Sequence, residues 1–308
     1  MRIAIIGLGE IARKAYLPIL TGKPELDIVL SSHTETSLRQ VQAQTRIPRG
    51  TTDLEEVIRS KPQAAFVLTP KETHFEIVRR LLEANIDVFV EKPATMHTDE
   101  TEQLAELADH RGHVLMVGFN RRFAPLHVKA HELLANQTIS VGLFQKHRSS
   151  TFVTSLSEQF LEDTIHQIDL LRFYCGEGEP ISTVQQVQDG NLQGAVSTIA
   201  LTNGGIAVIA TTLQAGGWNE TYTLHGSSQS IFIDAFDRLR LITSLDEKTW
   251  QEPYASSWKT TLESRGFNGE IDHFLECVQK RCEPLTSAWD SVKTQLLLKQ
   301  MVNKAKLK

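Results

Sequence analysis

A run of β-forming residues from Arg2 to Ile6 passes directly into Gly7-Leu8-Gly9-Glu10-Ile11-Ala12, and a helical pattern follows from Ile11 to Leu20. This GxGxxA turn, set between a strand and a helix, constrains the fold more than any other feature of the chain. Gly7 permits a tight turn, Gly9 has no side chain to hold a pyrophosphate away, and Ala12 lets the helix pack close to a sheet. The N–H groups that open the helix are then available to phosphate oxygens. GxGxxA alone is weak; in its strand-to-helix context it predicts dinucleotide binding at Gly7, Leu8, Gly9, Glu10 and Ile11.

The pattern that follows fits such a domain. Apolar runs at Leu26 to Leu30, Ala64 to Leu68, Val88 to Val90 and Val114 to Val117 alternate with helical patterns at Leu38 to Gln44, Leu54 to Arg59, Phe75 to Ala84 and Thr98 to Ala108. Strand and helix in alternation predict a parallel sheet wrapped on both faces. The rhythm changes near Phe119 to Phe123. Helices are expected at Pro125 to Ala135 and Phe160 to Tyr174, and strands dominate from Val184. Asn203-Gly204-Gly205, between alternating runs at Val196 to Ala200 and Ile206 to Ala210, predicts a hairpin. Helices at Glu270 to Lys280 and Ala288 to Val302 close the chain, the second opened by Ser287 and Asp290 in the manner of a capping box. The expected fold class is an α/β Rossmann domain over 1–121, followed by an α+β domain over 122–308. The second domain carries a large open, mostly antiparallel sheet, and the closing helix is a candidate to pack back on the first. Because the helices between the domains can cover only one face of that sheet, a homodimer or a dimer of dimers is expected through the other.

Composition narrows the partners. With 308 residues and a net charge of -5, the chain has no basic stripe to neutralise a nucleic-acid backbone. No apolar run approaches the roughly 20 residues of a membrane helix, and the start lacks the form of a signal peptide. Three cysteines, Cys175, Cys277 and Cys282, without CxxC spacing, point to reduced thiols in the cytoplasm. His127 and His131 stand four apart, but no HExxH accompanies them, so no metal is expected. The expected partner is a small-molecule substrate.

The end of the second strand bears on which dinucleotide binds. Selectivity for NAD usually rests on an acid there, bound to the ribose 2′-OH. Here the sequence reads Ser31-Ser32-His33, with no acid before Glu35. Hydroxyls and a cation accept a 2′-phosphate, so Ser32, His33 and Arg39 favour NADP(H) over NAD(H).

Three further motifs complete a pattern. Thr69-Pro70 with His74 follows the third strand, and Glu91-Lys92-Pro93 follows the fourth. Glu162-Asp163-Thr164-Ile165-His166-Gln167-Ile168-Asp169 has the form of a DxGxHxxD motif. In order and spacing, with the glycine turn, these resemble the Gfo/Idh/MocA oxidoreductase family over essentially the whole chain. Gly118 to Pro125, Lys146 to Ser149 and Leu262 to Phe267 are similar to its MviM-type subgroup, which narrows ancestry more than function.

The resemblance implies an NAD(P)-dependent oxidoreductase that transfers hydride to or from a sugar, polyol or related hydroxy/oxo compound. It places Lys92 and His166 at the reacting oxygen, with a motif acid that falls on Glu162 and has Asp163 as a competitor. A histidine titrates near neutrality and can carry the alcohol proton; a lysine cation can hold the substrate oxygen and stabilise alkoxide charge. Thr69, Pro70, His74, Glu91 and Asn120 are the further candidate cofactor contacts, with helix packing near the cofactor an equal alternative for His74; Asn120 and Arg121, which follow the last strand of the parallel sheet, and Arg148 join Lys92 and His166 as candidate substrate contacts. Arg122 and Asp169 read as structural. Lys146 and Arg148 share one face of a strand, and His147 takes the other. Trp258, Arg265 and Phe267 either shape the substrate pocket or belong to the core. Glu162 and Thr164 depart from the Asp and Gly of the motif, which leaves open a second reading, a dinucleotide-binding sensor without turnover.

Overall fold

The computed structural model describes residues 1–135, 137–150, 152–251 and 260–307; Trp258 lies outside them. They form two compact units, Met1–Phe119 with Phe267–Val292, and Asn120–Gly266 with Lys293–Lys308. Residues 267–292 cluster with the first unit.

The first unit holds a six-stranded sheet with strands β1 (Arg2–Ile6), β2 (Asp27–Ser31), β3 (Gly50–Thr51), β4 (Ala64–Val67), β5 (Asp87–Glu91) and β6 (Leu115–Gly118). Their order is β3-β2-β1-β4-β5-β6 and every pairing is parallel, the doubly wound arrangement. The intervening helices are α1 (Leu17–Leu20), α2 (Glu35–Thr45), α3 (Leu54–Arg59), α4 (His74–Glu83) and α5 (Thr98–Arg111). Local chemistry explains their ends. Thr34 and Asp53 cap α2 and α3 by accepting from Ser37 and Glu55 N–H groups, and Gly112 closes α5 at φ 68°.

The helix after the glycine turn is not uniformly α-helical: Ala12–Tyr16 is a π-helical turn ahead of α1. Pro18, one residue into α1, has no N–H to bond Lys14 and would crowd its carbonyl, and the wider turn avoids both problems. Tyr16 leads an aromatic cluster on this face. Its ring lies 5.5 Å from Phe89 and 5.8 Å from Phe267, and Phe274 meets Phe66 edge-on at 5.2 Å. Phe267 and Phe274 belong to α10 (Phe267–Lys280); Phe274 is fully buried, and Phe267 is half-buried at the edge of the cluster.

The second unit is built on a nine-stranded sheet in the order β14-β13-β12-β11-β7-β10-β9-β8-β15. Its strands are β7 (Val141–Ser149), β8 (Gly178–Gln188), β9 (Asn191–Leu201), β10 (Ile206–Thr212), β11 (Gln214–Gly226), β12 (Gln229–Asp234), β13 (Arg238–Thr243), β14 (Glu247–Gln251) and β15 (Ala305–Leu307). Only β7–β10 and β8–β15 are parallel. The hairpin at Asn203-Gly204-Gly205 joins β9 and β10 as expected, with Gly204 at φ 87°. The position of β7, central in the sheet and parallel to β10, is a tertiary outcome that local patterning does not announce.

Helices α6 (Pro125–Leu134) and α8 (Ile165–Cys175) cover one face of this sheet, burying Phe144, Tyr222, Ile231 and Ile233; α7 (Leu156–Gln159), α9 (Thr261–Ser264) and α11 (Ala288–Asn303) complete the helices. The register places Val141, Val184, Val196 and Ile206 on the opposite face, where each is 41–47% exposed. Among the described residues no helix is long and apolar enough to cross a membrane.

Candidate active site

In the first unit, the glycine turn is shaped by contact on one side and openness on the other. Gly7 adopts φ 93°, and a Cβ there would stand 2.7 Å from the backbone of Leu68 and Thr69. A Cβ on Gly9 would meet nothing within 4 Å, so this glycine leaves an open concavity over the turn. Beside it lies a cleft of about 430 Å³ lined in part by Gly7, Ser32, His33, Thr69, Pro70 and Thr73. The open turn and the cleft beside it could hold a dinucleotide. Leu8 is buried, while Glu10 and Ile11 are exposed, Glu10 pairing with Lys14.

Two candidates in this unit do structural work. His74 is buried between two backbone carbonyls, with Nδ1 2.9 Å from Pro93 O and Nε2 2.9 Å from Thr69 O, and which of them accepts from the ring depends on the tautomer. It therefore ties the loop after β4 to the loop after β5. Glu91 ends β5, accepts from Tyr16 Oη at 2.6 Å and from the Lys92 N–H at 2.9 Å, and burial raises its pKa. Lys92 follows at once, half-buried, with a cis bond to Pro93. Arg39 does not line the cleft; it pairs at the surface with Glu35. Arg13 was not anticipated. Its Nε donates to Leu8 O at 2.9 Å and its Nη2 to Ser37 Oγ at 3.0 Å, so a guanidinium spans the glycine turn and the first turn of α2.

In the second unit, a buried ionic network stands on β7, β11 and the helical segment before α8. The antiparallel register sets Lys146 opposite Glu220. Arg121 grips Glu220 bidentately at 2.6 and 2.9 Å, and Arg148 grips Asp163 at 2.9 and 2.6 Å. Lys146 Nζ lies 2.7 Å from Asp163 Oδ1 and 3.9 Å from Glu220 Oε2. Tyr222 donates to Glu220 and in turn accepts from Gln167 at 3.2 Å.

Burial and the adjacent Arg121 draw the Lys146 pKa down to about 7, against the pull of Glu220 and Asp163. Burial works against the Asp163 carboxylate too, but hydrogen bonds from Arg148 and the charge of Lys146 outweigh it and hold the pKa at about 2. Glu220 is likewise kept ionised despite burial, chiefly by Arg121.

The remaining candidates fall around this network. Glu162 and Asp163 sit in a second π-helical turn, Phe160–Thr164, the former exposed and the latter ion-paired. His166 follows in the first turn of α8, 7% exposed. Asn120 donates its amide to Arg265 O at 2.8 Å. Arg122 and Asp169 form a bidentate pair at 2.8 and 2.6 Å, the structural role their positions suggested. His127 bonds the Tyr174 hydroxyl and His131 stacks on Phe173 at 4.0 Å, so both have packing roles. Among the described residues no group of three His, Cys, Asp or Glu is placed to hold a metal. The sequence reading paired Lys146 with Arg148 by alternation but did not read Lys146 as part of a site. It could not reach Glu220, whose place depends on strand register.

Residues 1–119 match the family model described as oxidoreductase family, NAD-binding Rossmann fold, and residues 159–308 match that for the oxidoreductase family C-terminal alpha/beta domain. YceM of Salmonella typhimurium, which carries an oxidoreductase name, is 31% identical, with 98% of this chain and 97% of that protein covered. The scyllo-inositol 2-dehydrogenase (NAD(+)) of Bacillus subtilis is 24% identical over 94% of this chain and 90% of its own length. The crystal structure of the dehydrogenase MviM from Clostridium difficile superposes with a TM-score of 0.90 at 25% identity, covering 98% of this chain and 99% of that one. The chain belongs to the Gfo/Idh/MocA oxidoreductase family.

Proposed function

We propose that this member of the family transfers hydride between NADP(H) and a sugar, polyol or related hydroxy/oxo compound, with Lys92 and His166 acting at the reacting oxygen. The observation that carries the reading is the pairing of an open glycine turn and its cleft with the Lys92 and His166 motif positions on one chain. Similarity to a scyllo-inositol dehydrogenase supports the class of substrate.

Gly7 to Ile11 would hold the pyrophosphate, Ser32 and His33 the adenosine ribose, and Thr69 and Pro70 the far wall of the cleft. The bound nicotinamide supplies the hydride acceptor or donor. Lys92, as a cation, orients the substrate oxygen and stabilises negative charge as it forms there. His166 accepts the hydroxyl proton in oxidation and returns it in reduction. The cations around Asp163 keep it ionised and ion-paired, which favours Glu162 as the carboxylate that assists His166. His74 and Glu91 position the loops that carry Thr69 and Lys92.

The preference for NADP(H) rests on Ser32, His33 and the absence of an acid at the end of β2. Like Arg39, Arg13 does not line the cleft, but it reaches Ser37 at the start of α2 and is the cation held beside the glycine turn. The reading also takes the protein as a cytoplasmic homodimer or dimer of dimers. Its sparse cysteines motivate the first part and the exposed apolar face of the nine-stranded sheet the second. The test is NAD(P)H oxidation and NAD(P)⁺ reduction across a panel of polyols, sugars and ketoses, with cofactor binding followed by fluorescence. Tight cofactor binding without turnover on any of them removes the reading.

A further inference from the structure

Arg121, Lys146, Arg148 and Arg265 gather around Asp163 and Glu220 in the second unit. Arg121 and Arg148 are each matched by a carboxylate, and Lys146 touches both acids. Arg265 is different. Among the described residues its side chain makes no ion pair; its guanidinium carbon lies instead 5.1 Å from the Phe236 ring and 5.6 Å from the Trp218 ring. Burial lowers its pKa and Arg121 and Arg148 repel it, while Glu220 and Asp237 oppose these effects from beyond ion-pair distance.

Arg265 therefore brings to the cluster a guanidinium that no carboxylate among the described residues meets at ion-pair distance, and the cluster is within reach of solvent. The Arg148 side chain is 43% exposed, and so is Trp218. Guanidinium forks match the paired oxygens of a carboxylate or phosphate. An exposed indole beside them offers a flat apolar surface to the C–H face of a sugar ring. Asp163, which Arg148 grips, lies one helical turn before His166 in the same segment.

We propose that Arg265 and Arg148, with Trp218 as a stacking surface, form a subsite for an anionic group on the carbohydrate, so that the substrate is an acidic sugar rather than a neutral polyol. The anion is a carboxylate or a phosphate, which present the same paired oxygens. This inference rests on the oxidoreductase reading for the reacting carbon only. The charged subsite is a property of these arginines and can be measured without turnover.

The experiment titrates the full-length protein, with and without saturating NADPH, against D-glucuronate, glucose 6-phosphate and D-glucose by calorimetry. We expect at least one anionic probe to bind about tenfold or more tightly than glucose, with an affinity that falls as salt rises. Arg265→Gln removes that advantage and Arg265→Lys keeps part of it, while NADPH affinity in both variants reports an intact fold. The stronger of the two anions identifies the group. Equal binding of glucose and both anions, no binding of any probe, or an advantage unchanged in Arg265→Gln overturns the proposal. Turnover of a neutral polyol with unaltered kinetics in Arg265→Gln also overturns it, and leaves the oxidoreductase reading in place. Conversely, Arg265-dependent anion binding without turnover on any sugar removes the oxidoreductase reading and leaves the subsite.

Discussion

Lys146 Nζ lies 2.7 Å from Asp163 Oδ1, with 2% of the lysine side chain and 14% of the aspartate exposed. The pair holds β7 against the helical segment that carries Glu162, Asp163 and His166. It also separates the two neighbouring acids into different roles, one locked in ion pairs and one facing solvent.

That separation can be measured. Asp163→Asn leaves Lys146 and Arg148 without their shared anion and should destabilise the protein by about 3–5 kcal/mol, the range for breaking a buried pair. Glu162→Gln should leave stability within about 0.5 kcal/mol, as for an exposed substitution, and lower turnover instead. Urea denaturation and steady-state kinetics on both variants decide it, and a kinetic loss confined to Asp163→Asn at unchanged stability would reverse the assignment. The pH dependence carries the same information. The folded pKa of Asp163, about 2, lies below its ordinary 3.8, so its stabilisation is present above pH 4 and is lost as pH falls toward 2. Lys146 gives the same sign in a higher pH window. Its folded pKa of about 7 lies below the ordinary 10.5, so the unfolded chain binds a proton that the folded chain lacks, and stability rises with pH between those values.

Lys92→Ala and His166→Ala should each cut turnover on a confirmed substrate while leaving cofactor affinity within a few fold. Losing general acid–base help typically costs about 10²–10⁴-fold, and losing a group that stabilises an oxyanion costs about 2.7–4 kcal/mol. The pyrophosphate and adenosine are held elsewhere, by the glycine turn and the cleft at Ser32. Kinetics beside NADPH fluorescence titration checks both halves, and a Lys92→Ala enzyme that keeps most of its activity contradicts the mechanism.

The two glycines of the turn should fail differently. Gly7→Ala places a Cβ 2.7 Å from backbone atoms at φ 93°, so it should lower the thermal midpoint as well as abolish cofactor binding. Gly9→Ala meets open space, so the fold should be unaffected while dinucleotide affinity falls about tenfold, or about 1.4 kcal/mol. Scanning calorimetry and cofactor titration separate the two outcomes. Unchanged affinity in Gly9→Ala would mean that the phosphates do not approach this turn.

NADP(H) should bind more tightly than NAD(H), and Arg13→Gln should reduce that preference by weakening NADP(H) alone. Arg13 bridges the turn and Ser37, where a 2′-phosphate beyond β2 would lie within its charge. Parallel titrations with both cofactors test this, and a tenfold preference for NAD(H) in the native protein sinks it.

The open face of the nine-stranded sheet should be covered by another copy of the chain. Val141 pairs with Ile206 and Val184 with Val196, so two exposed apolar pairs lie on this face of four adjacent strands. Val196→Glu should then shift the protein toward monomer without unfolding it. Sedimentation velocity at micromolar concentration reads the state directly, and a native monomer there contradicts the expectation.

Much of the first unit could be read locally. The glycine turn, the helix Leu54–Arg59 and the four runs that became β1, β2, β4 and β5 are legible because each is specified by neighbours in sequence: apolar pattern, turn glycines, caps. The hairpin at Asn203 was legible for the same reason. The family motifs at Glu91-Lys92-Pro93 and His166 marked the proposed reacting groups, since spacing along one strand end or one helix is a local property. What escaped is nonlocal. Glu220 carries no motif, and it meets Lys146 only because β11 runs antiparallel to β7 in one register. Arg13 was hidden for a related reason, because its partner Ser37 lies across two elements.

The sequence by itself therefore determined the order of elements, the dinucleotide turn and the identity of the motif residues, because these depend on chain-local sterics and periodicity. Only the tertiary structure decided which charges neutralise one another. It bound Asp163 to Lys146 and Arg148, exposed Glu162, and set Arg265 against two aromatic rings with no ion pair among the described residues. The reason is electrostatic: the ionisation of a buried group depends on distances to charges remote in sequence, and those distances exist only once the sheet has paired.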